Sequence, residues 1–74
     1  MKKSYNGYPS YNAWNVSLWL NNDEHFYALA KNLLGSSRTK EIAALSFLIY
    51  VNDSHTPDGV RWTLTNVRRA MRDM

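Results

Sequence analysis

An all-α domain, a compact bundle of about four helices behind a tyrosine-rich N-terminal arm, is the fold this sequence predicts. Three observations predict it. Successive stretches carry apolar residues three and four apart, the spacing that gathers side chains on one side of a helix. A serine, threonine or asparagine able to cap a helix N-terminus introduces each stretch. The seams between them are short and polar, and the clearest is residues 52–59, NDSHTPDG, where Pro57 presets φ and Gly59 accepts a positive φ.

Seventy-four residues make one domain, which buries only about 60 to 65% of its unfolded surface and so has a thin margin of stability. Without cysteine there is no disulfide or thiolate metal site to staple it. The margin must come from large apolar groups, and aromatics at 14% supply them, most densely in residues 5–20, YNGYPSYNAWNVSLWL. The two N-terminal lysines have no apolar run behind them to form a signal peptide, and nothing approaches the roughly 18 apolar residues of a membrane span. We read the chain as cytoplasmic, which leaves the sequons at Asn15 and Asn52 without a role. A net charge of +3 is modest for an obligate nucleic-acid binder. It excludes a DNA mimic, which would be strongly acidic.

In chain order, residues 1–9 form the arm: Gly7 and Pro9 disfavour helix, and Tyr5 and Tyr8 can pin the segment to the body. Residues 10–74 form the helical domain. Ser10 caps a first helix to about Leu20, with Tyr11, Trp14 and Leu18 on one strip and Val16, Trp19 and Leu20 on another. So broad an apolar surface makes this the central helix, with Asn12, Asn15 and Ser17 as its outer face. Asn21 with Glu24 starts a second helix, in which Phe26, Leu29, Ala30, Leu33 and Leu34 make one stripe. Gly35 is expected to end it in a left-handed conformation. Ser36 or Ser37 caps a third helix whose body, residues 42–51, is almost wholly apolar; Ala43 and Ala44 favour helix over strand there. Residues 60–64 alternate and can run extended, laying Trp62 on the body. Thr65 then caps a last helix with Val67, Ala70, Met71 and Met74 inward and Arg68, Arg69 and Arg72 outward.

No catalytic, cofactor or metal constellation emerges, and the chain is read as a non-enzyme. His25 and His55 are far apart and lack ligand spacing. Asp53, Ser54 and His55 spell triad residues, but neighbours in sequence cannot line up nucleophile, base and orienter in series. Asp23 and Glu24 are accounted for by the helix dipole, and three glycines make no phosphate loop.

The candidate binding residues are Tyr5, Tyr8, Arg61, Arg68, Arg69 and Arg72, because tyrosine and arginine are the residues that most often anchor interfaces. Arg68 and Arg72 share a helix face, with Arg69 beside them. Their functional reading is phosphate or acidic-protein contact; their plain reading is a solvated face that complements the helix C-terminus. A helix-turn-helix through Gly35, Ser36 and Ser37 would leave only Arg38, Lys40 and Glu41 to meet bases, so it ranks low.

The pattern carried by Tyr5, Asn6, Gly7, Tyr8, Tyr11, Trp14, Asn15, Val16, Leu18, Trp19, Leu20 and Asn21 resembles the opening of a family of small, uncharacterised proteins of bacteriophages and other mobile elements. Thr56, Pro57, Asp58, Gly59 and Val60 make a weaker second match. The resemblance implies a phage origin and brings no established activity. By analogy with small phage proteins, it suggests an anti-defence inhibitor, anti-CRISPR in its most concrete form, acting in the host cytoplasm on a defence nuclease or CRISPR ribonucleoprotein as a monomer or homodimer. The alternative is a small basic nucleic-acid-binding regulator. A third reading is a homo-oligomeric module joined through the apolar faces of helices one and three.

Overall fold

The computed structural model describes residues 7–74. Its elements are four α-helices, α1 (Tyr11–Asn22), α2 (Glu24–Ser36), α3 (Lys40–Tyr50) and α4 (Leu64–Ala70), with α4 running into a 3₁₀ turn, Met71–Asp73. The all-α bundle is as expected, and no β-strand forms among the described residues. No helix of the described residues is long and apolar enough to cross a membrane.

Local capping explains where each helix starts. Ser10 Oγ accepts the Ala13 amide at the head of α1. Asp23 Oδ1 accepts the amides of His25 and Phe26, so α2 is capped by Asp23 and not by Asn21, and α1 runs on to Asn22. Asn21 and Asn22 instead turn their side-chain amides back onto the carbonyls of Ser17 and Leu18, closing the last turn of α1. Thr39, two residues beyond Ser37 and so past both serines expected, caps α3 through Ile42 N–H. Thr63, not Thr65, caps α4 through Asn66 N–H. Each cap satisfies an amide that the first turn leaves without an intrahelical partner. Gly35 also departs from expectation: it lies inside α2, and the chain leaves that helix through an extended Ser37. Positive φ is confined, among the described glycines, to Gly7 and Gly59.

The helices pack in a ring of neighbours. α1 lies most extensively on α4, α2 on α3, α3 on α4 and α1 on α2. Val16 and Leu20 of α1, Ala30 of α2, Ala43, Ala44 and Phe47 of α3, and Val67, Ala70 and Met71 at the C-terminus form one continuous buried cluster. Trp62, on the extended segment before α4, sets its ring edge-on to Phe26 (centroids 5.1 Å, 70°) and to Phe47 (5.2 Å, 66°). Each such pair adds about 0.5–1.5 kcal/mol beyond area burial, so Trp62 ties α2 to α3. This tryptophan, placed on the body as expected, is buried; Trp14 and Trp19 are only half-buried.

One expectation about helix faces, that for α1, is corrected. On α1 the innermost residues are Ala13, Val16, Ser17 and Leu20, and Asn15 is fully buried as well, whereas Tyr11 is exposed. Small side chains let α1 approach its neighbours closely, and the aromatics ring the contact instead of filling it. Of the polar residues assigned to the outer face, only Asn12 is exposed. On α3 only Ala43, Ala44 and Phe47 are buried, while Ile42, Leu45, Ile49 and Tyr50 face solvent.

Candidate functional site

α4 is seven residues long and carries basic side chains in its last turn, where they meet the negative end of the helix dipole. Helical spacing brings Thr65, Arg68 and Arg69 to one side, and the 3₁₀ turn that follows keeps Arg72 with them. Together with Leu64 and, from α3, Glu41, they line a cleft of about 350 Å³. Three guanidiniums stand there against one carboxylate, and guanidinium forks fit phosphate and carboxylate oxygens in pairs. Arg69 Nε is buried without a hydrogen-bond partner, which puts this donor out of reach of a ligand in the cleft. Lys40 of α3 donates from Nζ to the Arg72 carbonyl, which adds a further cation beside the cleft and ties the C-terminal turn to α3.

Of the residues singled out from sequence, Arg68, Arg69 and Arg72 are thus brought together, but Arg68 and Arg69 are half-buried walls instead of an outward face. Arg61 does not line this cleft. It is exposed on the 55–61 turn, paired with His55 in an isolated antiparallel bridge. Tyr8 is half-buried and its phenol oxygen accepts the Ser17 hydroxyl at 2.6 Å, so this tyrosine is tied to α1. Tyr5 lies outside the described residues. Glu41 and Thr65 were missed. Thr65, three and four residues before Arg68 and Arg69, was within reach of helical spacing; Glu41 arrives from another helix and carried no signal.

A second cluster joins the two stretches that carry the family resemblance. Asn15 of α1 is wholly buried, two residues from both Ala13 and Ser17 and therefore on the opposite side of the helix from them. There it meets the 55–61 turn. Its Nδ2 donates to Asp58 Oδ2 at 2.8 Å, and its Oδ1 accepts Thr56 Oγ1–H at 2.8 Å. Trp19 Nε1, one helical turn on, donates to the same Asp58 oxygen at 2.9 Å. Within the turn Thr56 Oγ1 accepts Val60 N–H, and the Gly59 and Thr56 amides donate to the carbonyls of Thr56 and Val60. The hydrogen bonds from Asn15 and then Trp19 hold the Asp58 carboxyl below its ordinary value of 3.8, against a smaller desolvation effect. The Asn15 amide, the Thr56 hydroxyl, the Trp19 indole and one Asp58 oxygen are all used within the fold, which makes the cluster a structural clamp.

The histidines stay apart. His25 borders a second pocket with Phe26, Tyr50 and Asp53, and His55 Nδ1 lies 2.7 Å from Ser54 Oγ on the surface. Among the described residues no group of three His, Asp or Glu side chains is close enough to hold a metal ion.

Fold and cleft together define a small all-α domain with an arginine-lined cleft on its C-terminal helix. The chain belongs to a family of unknown function (DUF7249), matched over residues 1–74. No curated protein and no solved structure matches it.

Proposed function

We propose that this chain is a non-catalytic, stoichiometric binding protein that docks the Arg68, Arg69 and Arg72 cleft on an anionic surface of its partner. The observation that carries the reading is the convergence of the three arginines on one cleft. Clustered guanidiniums present paired donors to an oxyanion, and arginine is among the residues that most often dominate binding energy. The mobile-element resemblance directs the choice of partner: a host defence nuclease or CRISPR effector ribonucleoprotein in the bacterial cytoplasm, inhibited in the anti-CRISPR manner by obstruction of DNA access or nuclease recruitment. The test is copurification from host lysate followed by a cleavage assay on the recovered nuclease. The expected result is a nuclease or ribonucleoprotein whose DNA cleavage falls as one equivalent of protein is added, with no loss of cleavage when Arg68→Ala, Arg72→Ala protein is used. Equal inhibition by that variant would overturn the assignment of the cleft.

The same convergence favours one second reading, a small regulator that binds nucleic acid through phosphates. Three phosphate contacts predict a loss of affinity of roughly 40-fold between 50 and 200 mM salt. Binding of duplex or single-stranded DNA with that salt dependence, and no recovered protein partner, would move the assignment to this reading.

A further inference from the structure

Among the described residues, nothing covers a regular helical face on α3. At 100° per residue Ile42, Leu45 and Ile49 point directly away from the buried Ala43, Ala44 and Phe47, and they are 44%, 45% and 77% exposed. Their spacing of three and then four is that of a helix–helix seam. An apolar patch of this kind, on the order of 300–500 Å², is at the size where exposed patches mark interaction sites.

We propose that a second copy of this chain covers it, with the two α3 helices antiparallel about a two-fold axis that crosses between Leu45 and Ser46. The register follows from centring the two-fold axis on the patch, midway between Ile42 and Ile49; in an isologous contact residue i then meets j wherever j meets i. About that axis Ile42 meets the partner's Ile49, and Leu45 packs over the partner's Ser46, a side chain small enough to seat it. Charge agrees with this polarity. Arg38 lies just before the α3 N-cap Thr39 and Asp53 just after the C-cap Val51, so the antiparallel pair sets Arg38 beside the partner's Asp53 at both ends. The last turn of α3 has no basic residue of its own, and Arg38 of the partner supplies one to its negative end. A parallel pair would instead set Arg38 against Arg38 and Asp53 against Asp53. The patch is smaller than the roughly 800 Å² per partner of a standard interface, so the dimer is weak, with a dissociation constant on the order of 10–100 µM. The inference is independent of the arginine cleft.

Sedimentation equilibrium of the full chain from about 5 to 500 µM, a range set to bracket that constant, is the test. The expected result is a monomer at the bottom of the range and a dimer at the top. Ile49→Glu, at a position so exposed that helicity by circular dichroism should be unchanged, should stay monomeric throughout. Arg38→Asp and Asp53→Arg should each weaken the dimer several-fold, and the two together should restore it. A monomer at every concentration, a dimer indifferent to Ile49→Glu, or a charge swap that fails to recover association would each overturn the proposal.

Discussion

Asn15 and Asp58 stand 43 residues apart in sequence and meet at 2.8 Å, the amide of a wholly buried helix residue donating to a carboxylate at the tip of an exposed turn. The same asparagine takes the Thr56 hydroxyl on its other atom, so one side chain fixes the height and the angle of the turn against α1. Asn15→Ala leaves the buried Thr56 hydroxyl without this acceptor and deletes a charge-assisted bond. A loss of about 2–3 kcal/mol is expected. A domain of this size holds only about 4–11 kcal/mol in total, so the urea midpoint of the variant should fall visibly with little change in slope.

Asp58 connects this clamp to pH. Its folded value is depressed by the bonds from Asn15 and Trp19, so the stabilisation it gives is fully present above the value of the unfolded chain, near 3.8, and is lost as pH falls through the lower folded value. Wild-type protein should therefore lose stability more steeply in acid than Asp58→Asn, whose neutral amide carbonyl can still accept from both donors. A two-dimensional NMR titration of the indole N–H groups checks the cause directly. The Trp19 resonance should move with an acidic midpoint in wild type and stay still in Asp58→Asn.

Gly35 and Gly59 should respond to alanine with opposite signs. A Cβ at either position meets nothing within 4 Å, so only the backbone decides. Gly59 has φ +86°, where alanine is strained, and Gly59→Ala should cost about 1 kcal/mol or more. Gly35 is helical, and Gly35→Ala should stabilise by about 0.5–1 kcal/mol. Thermal unfolding of the two variants side by side is sufficient.

Trp62 contributes through its ring more than through its nitrogen, since Nε1 is buried without a hydrogen-bond partner. Trp62→Ala should cost about 3–5 kcal/mol and leave much of the protein unfolded at ambient temperature. Trp62→Phe keeps an aromatic face for Phe26 and Phe47 and removes the unsatisfied donor, so it should cost distinctly less. Near-ultraviolet circular dichroism and urea unfolding distinguish the two outcomes.

The sequence by itself determined the number and kind of elements: the 3.6-residue periodicity of α2, the Ser10 cap, the Pro57 to Gly59 turn and the helical preference of the Ala43, Ala44 pair all act over a few residues. It also located the arginines and the aromatic-rich opening. Tertiary structure decided the rest. Asn15 reads as an outer-face residue until Thr56 and Asp58 arrive from more than 40 residues away to satisfy it. Asp23 and Ser37 bound α2 where Asn21 and Gly35 were equally plausible locally. The outward Ile42, Leu45 and Ile49 look like core until α2 and α4 are seen to take the other side of α3. In each case a polar or apolar side chain has two acceptable environments, and only the long-range packing of a core too small to bury every apolar group selects between them.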